Sequence, residues 1–316
     1  MIKCKIFSEK NSLEWENFID QSTNGTIFHY RKFIDYHETP KFKDCSLLFY
    51  KKNKLIAVLP GAIQNNQFIS HPGISFGGFI HSDKLSFADA LNITTCFKHF
   101  IINNSFQKTI ITFPPDCYYK NISHYIEFCL YQLSFCYSRL ELSNVVCFDS
   151  SIDEVMSHFK NQNKTAIRKA KKERVSVFES NKYDDFYKIL KDNLKLRHNV
   201  IPTHSLKEIK KIRELFPSQI RLFIAEYNNT MIGGVINFIC NSKTVLAFYI
   251  SHDSSYQNLR PLNLLFSKIF EWAIDHNYQY YDFGLFTDYE KPNLSLARFK
   301  ESFGTEGVFR KTMVLE

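Results

Sequence analysis

No run in these 316 residues approaches the roughly 20 consecutive apolar positions that a membrane-crossing helix needs. The opening Met1-Ile2-Lys3-Cys4-Lys5-Ile6-Phe7 reads as a short strand rather than a signal peptide, so a cytoplasmic protein with no integral membrane segment is expected. Metal-ligand spacing is missing too. The eight cysteines (Cys4, Cys45, Cys96, Cys117, Cys129, Cys136, Cys147 and Cys240) form no CxxC pair and no Cys/His cluster, so no metal is expected and they read as reduced structural thiols. A nucleotide fingerprint is also lacking: the glycine-rich stretch from Ile69 to Phe79 has neither the Lys-Ser/Thr of a phosphate loop nor a GxGxxG pattern. Its glycines read as places of close backbone approach. Within it, His71 beside Pro72 either braces a turn or binds and deprotonates an acceptor amine.

Apolar residues make up 44% of the chain, with 31 Phe and 17 Tyr, which excludes wholesale disorder. The length predicts two domains. A formal net charge of +8 gives modest support to anionic partners such as nucleotides, phosphosugars or tRNA, and nothing points to DNA.

One pattern occurs twice. Ser46 to Tyr50 leads through Lys51-Lys52-Asn53-Lys54 into Leu55 to Leu59, and Arg221 to Tyr227 leads through Asn228-Asn229 into Thr230 to Ile236. Both read as antiparallel hairpins on a short polar turn. The second half predicts a basic helix near 163–172, then the order β, α, α, β, β, β, α, β, α, β, with Pro261 opening a helix. The first half predicts a helix over Leu13–Gln21 behind Ser12, the hairpin, a helix over Phe87–Ile101 and a strand over Thr109–Phe113. A further strand is expected near Leu130–Tyr137. The fold class expected is a mixed-sheet α/β (α+β) fold, with domains at 1–149 and 150–316.

The closing segment carries the most specific signal. A strand ends in Tyr281-Asp282-Phe283-Gly284, a polar loop follows, and a helix contains Arg298-Phe299-Lys300-Glu301-Ser302-Phe303-Gly304. This pair of motifs resembles the C-terminal signature of the Fem-type transferases, tandem-GNAT proteins that add amino acids to cell-wall precursors. Ala166-Ile167-Arg168-Lys169-Ala170 before Val175-Ser176-Val177, and Asn24-Gly25-Thr26-Ile27-Phe28-His29, are similar to other parts of Fem-like and polysaccharide-cluster GNAT proteins. The resemblance implies two tandem GNAT-like domains, the first degenerate. It also implies acyl transfer from a thioester or an aminoacyl-tRNA to an amine, with Lys300 near the donor or the tetrahedral intermediate and Phe299 beside it.

Other residues can be placed around that chemistry. Lys164, Arg168 and Lys172 share one helical face that could grip phosphates. Gln257 and Arg260 stand where a coenzyme A-binding GNAT protein has a glycine turn; the glycines are absent and Pro261 has no amide proton. Asp282 is one of several candidate bases, and Tyr249 and Tyr289 are candidate proton donors to the leaving group. The expected acceptor is the amine of an amino-sugar nucleotide or a cell-envelope intermediate, with peripheral contact with envelope machinery. The donor is either acyl-CoA or aminoacyl-tRNA, and a non-catalytic binding module of the same fold is the third reading.

Overall fold

A computed structural model of the chain describes residues 2–37, 42–70, 72–148, 151–198, 201–288 and 291–316. The chain divides into two compact units, Met1–Glu141 with Phe309–Glu316, and Leu142–Val308. Domain limits drawn at 149/150 would keep the C-terminal strand with the second half, whereas its last residues pair within the first unit.

In the first unit, β1 (Ile2–Ile6) precedes α1 (Ser12–Gln21), and the hairpin β2 (Leu47–Lys51) and β3 (Lys54–Leu59) follows. β1 runs antiparallel to β2. Helix α2 (Phe87–Asn103) starts on the Ser86 side chain, which accepts the Asp89 amide, and it leads to β4 (Lys108–Thr112). Helix α3 spans Tyr125–Gln132, where the aromatic run had suggested a strand from Leu130. Ile126, Cys129 and Leu130 fall on one buried helical face, the chain takes a left-handed residue at Ser134 (φ +73°), and β5 begins at Cys136 and runs to Cys147. Phe49, Phe68, Phe79, Phe97, Phe135 and Ile111 form the core of this unit. In the glycine-rich stretch, a Cβ on Gly77 would lie 2.4 Å from the Ser70 carbonyl oxygen, which accounts for that glycine by backbone crowding.

The second unit begins with the basic helix α4 (Asn161–Lys172), then β6 (Ser176–Ser180), α5 (Tyr183–His198) and α6 (Leu206–Leu215). Three antiparallel strands follow, β7 (Ile220–Tyr227), β8 (Thr230–Ile239) and β9 (Thr244–His252). Helix α7 (Pro261–Asp275), β10 (Tyr280–Leu285), α8 (Leu294–Glu301) and β11 (Glu306–Leu315) complete the expected order. Thr312–Leu315 of β11 lies antiparallel to Thr109–Thr112 of β4. The sheet of the second unit runs β6-β7-β8-β9-β10, with the Ser143–Cys147 part of β5 beyond β10; only β9 and β10 are parallel. Leu265, Phe266, Ile269 and Phe270 of α7 pack with Val235, Val245, Tyr281, Phe283 and Phe303 to form its core.

Both hairpins close on turns whose two central residues have positive φ: Lys52 and Asn53 (45° and 65°), and Asn228 and Asn229 (48° and 59°). Such turns match the twist of the strands they join. The register slips between Phe49 and Tyr50 in one hairpin and between Ala225 and Glu226 in the other, at the same distance from the turn.

Gly304 has φ +75°, and a Cβ there would meet the Cβ of His158 at 2.8 Å. Replacing Gly304 with Ala should therefore cost about 1–3 kcal/mol from the left-handed backbone alone, with the overlap adding to it. Denaturant unfolding of the two proteins measures this.

Candidate active site

The Tyr-Asp-Phe-Gly strand end is built by alternation. Tyr281 and Phe283 point into the α7 core, and the Tyr281 hydroxyl donates to Asn237 Oδ1 at 2.6 Å. Asp282 faces the other way and is buried. Its Oδ1 accepts from the Ser143 hydroxyl and, at 2.7 Å, from the backbone amide of Gly284. This second bond curls the chain, and Gly284 takes the left-handed φ of +74° that the turn demands.

Lys300 closes the arrangement. It is 2% exposed, and its ammonium donates to the carbonyls of Gly284 at 2.7 Å and Leu285 at 2.8 Å. The motif lysine of α8 thus ties its helix to the end of β10. Burial pulls its pKa down to about 8, with the Asp282 charge acting in the opposite direction.

Next to this strand end the sheet opens. β9 and β10 pair only over Thr244–Leu246 and Tyr280–Asp282. Beyond them β9 stays with β8 as far as His252 opposite Gly233, while β10 stays with β5, Leu285 standing opposite Ser143. A register shift in the β8/β9 pairing, with Ile236 opposite Tyr249 and Asn237 opposite Ala247, puts a bulge at Phe248, whose ring stacks on Phe238 at 3.9 Å.

A cavity of about 940 Å³ lies on this side of the second unit. Ile250 and His252 of β9 border it, as do residues of α4, the start of α7 and α8. Its cations are Lys169, Arg260 and Arg298, and among the described residues no carboxylate lines it. Arg260 caps α7 with φ +59° and Pro261 fills the first helical position. Amide side chains brace the wall: Asn263 donates to Asn163 Oδ1, and the buried Asn163 donates on to the Ser302 carbonyl at 3.1 Å.

Of the residues singled out from sequence, the structure brings Gln257, Arg260 and Phe299 together on the cavity wall. Lys300 and Asp282 sit together at the strand end and are not part of the lining. Lys164, Arg168 and Lys172 do not line the cavity either; the Lys164 ammonium donates to the Ser157 carbonyl at 2.7 Å, and Arg168 and Lys172 are exposed. The wall takes Gln162, Thr165, Ala166 and Lys169 from that helix. Tyr249 lies off the cavity, where the His204 amide donates to its hydroxyl oxygen at 3.2 Å and His204 Nδ1 stands 3.0 Å from it. His71 and Tyr289 lie outside the described residues. Sequence reasoning passed over Asn163, Asn263 and His252; an asparagine on the buried face of a charged helix was the one available signal.

With this geometry in view, the comparisons with known proteins are specific. Residues 157–300 match the acetyltransferase (GNAT) domain model. The fold superposes on FemX with a TM-score of 0.73 at 12% identity, covering 99% of this chain and 96% of that one. It is also similar to the C-terminal domain of a putative lysylphosphatidylglycerol synthetase from Agrobacterium fabrum, with a TM-score of 0.60 at 9% identity, covering 97% and 92% of the two chains. A tandem GNAT protein from the clavulanic acid biosynthesis pathway gives a TM-score of 0.54 at 8% identity, covering 100% and 98%. No curated protein sequence matches the chain. Residues 157–300 thus form a GNAT domain, the domain of an acyltransferase, and the fold of the chain is Fem-like.

The shifted lysine has a consequence for stability. Between pH 8 and 10.5 the unfolded chain retains a proton on Lys300 that the folded protein gives up, so stability gains from this group as pH rises through that window. The gain is at most about 1.4 kcal/mol per pH unit. In Lys300→Met it should vanish, and melting curves of both proteins from pH 8 to 9.5 show whether their difference changes with pH.

Proposed function

We propose that the protein moves an acyl group from an activated, phosphate-bearing donor, held in the cavity of the second unit, to the amine of an amino-sugar nucleotide or a cell-envelope intermediate. The observation that carries the reading is the cavity itself: Lys169, Arg260 and Arg298 line it together with the start of a fifteen-residue helix, and there is no carboxylate among the described lining residues. Cations and a helix N-terminus both favour an anion, so the phosphate end of the donor belongs there. The acyl group then reaches the gap where β9 and β10 part. Its carbonyl gains negative charge as the amine attacks, and Lys300, the buried cation at the end of β10, is assigned to stabilise that charge. The amine forms the new C–N bond, the bond to the donor oxygen or sulfur breaks, and the proton lost by the amine ends on the leaving group.

Between the two donors, the turn before α7 favours aminoacyl-tRNA over acyl-CoA. A pyrophosphate cradle needs free amides and bare backbone, and here Pro261 supplies no N–H while Arg260 puts a side chain at the left-handed position. Leu262 and Asn263 retain amides next to the cavity, enough for one phosphate group flanked by side-chain cations. The Fem-like fold and the likeness to a protein named for lysylphosphatidylglycerol synthesis support the same donor. All eight cysteines are free thiols, in keeping with a cytoplasmic setting.

Aminoacylated tRNA should raise the melting temperature, and acetyl-CoA should not. The double variant Lys169→Ala/Arg298→Ala should raise the donor KM at least about tenfold with kcat little changed, the signature of lost ground-state binding. Lys300→Ala should lower kcat on the order of a hundredfold. Stabilisation by neither donor, or a double variant with an unaltered KM, would remove the basis of the reading.

A further inference from the structure

Two of the eight cysteines meet in the first unit, and the transferase reading uses neither. β1 stands at the end of its sheet, paired with β2 on one side only. Alternation along the strand turns Ile2 and Cys4 to the same face, and both pack against the core to which α2 contributes Ile93 and Phe97. Cys96 lies in the middle of α2, three residues after Ile93 and next to Phe97, on the margin of that helix's buried stripe.

Three contacts tie the Cys96 sulfur to the strand. Its thiol donates to the Ile2 carbonyl at 3.9 Å, the Cys4 thiol hydrogen-bonds to it, and so does the Cys4 backbone amide. Cys96 thus takes the place on the open edge of β1 that a further strand would fill. Cys4 and Cys96 are half-buried, within reach of small reagents, whereas Cys45, Cys117, Cys129 and Cys240 are buried. The pair is also polarised. Hydrogen bonds from the Cys4 thiol and amide hold Cys96 below the ordinary thiol range, while that same thiol contact, together with burial, pushes Cys4 above it. Of two such thiols, the one that ionises more readily attacks and its neighbour resolves.

We infer that Cys4 and Cys96 form a thiol–disulfide site, oxidised to an intramolecular disulfide by small-molecule disulfides and returned to the dithiol by small thiols. The Cys96 thiolate attacks one sulfur of the small disulfide, whose S–S bond breaks; a mixed disulfide forms and one thiolate leaves. Cys4 then gives up its proton and attacks the Cys96 sulfur, the mixed disulfide breaks, and the second small thiolate leaves. The two protein sulfurs lose the two electrons that the small disulfide gains. The new bond closes a loop from β1 through the hairpin to α2. It fixes the end strand to the helix beside it, so the stability of the first unit follows the thiol–disulfide balance of its surroundings.

The test uses the intact protein, reduced, desalted, incubated with oxidised glutathione and alkylated with iodoacetamide before its peptides are mapped by mass spectrometry. The peptides holding Cys4 and Cys96 should appear joined, and dithiothreitol should separate them. The joined form should melt roughly 5–10 °C higher than the reduced one. In Cys4→Ser, Cys96 should stop at the mixed disulfide with glutathione and the rise in melting temperature should be lost. In Cys96→Ser, Cys4 should remain open to alkylation. Matching melting temperatures of the reduced proteins would establish that the variants are folded, and the wild-type map decides the matter where they are not. The inference is overturned if Cys4 and Cys96 both stay alkylatable while the exposed Cys136 or Cys147 takes up glutathione. A disulfide between Cys4 and Cys45 in place of Cys96 would overturn it as well.

Discussion

Two parallel strands that pair over three residues and then separate set the terms for everything in the second unit. A parallel pair cannot simply end, because each strand still has backbone groups to satisfy and side chains to bury. Here β9 remains with β8 and β10 with β5, so both strands keep one partner while the edge between them opens. The register shift at Phe248 turns β9 as it leaves. Ile250 and His252, on the part of β9 beyond its pairing with β10, border the cavity, and the donor site proposed there rests on what stands around it rather than on any one reactive side chain.

The closing motif takes on a physical meaning in this setting. A strand that has lost one neighbour needs another way to fix its end. Asp282 curls the chain through Gly284, and Lys300 holds the two carbonyls that the curl exposes. Placing an ammonium at 2% exposure is costly, and its lowered pKa records that cost. The same charge beside an opened strand is also what an acyl carbonyl needs when it becomes an oxyanion. One residue thus joins the architecture of the strand end to the chemistry proposed for it.

Much of this was legible in the chain. The two hairpins, the order of elements through the second half and the Tyr-Asp-Phe-Gly strand end follow from alternation, turn chemistry and periodicity, all of which are local. The cavity was less legible because it depends on helical phase. Ile167 and Ala170 were expected to face the core, and they do, but Lys164, Arg168 and Lys172 lie on one side of that buried stripe and Lys169 on the other. Sequence alone could not say which flank meets α7 and α8; the buried Asn163, bonded to Asn263 and Ser302, is what settles the rotation. In the first half, the run from Phe128 to Tyr137 is apolar enough for helix or strand. The left-handed turn at Ser134 divides it into both.

The slipped register in each hairpin reaches beyond packing. Counted from the turn, Tyr50 and Leu55 correspond to Glu226 and Met231, and in each hairpin a single isoleucine, Ile56 or Ile232, is the extra residue. A bulge at the same step from a turn of the same kind bends and twists both hairpins in the same way, so each leaves its turn along the same course.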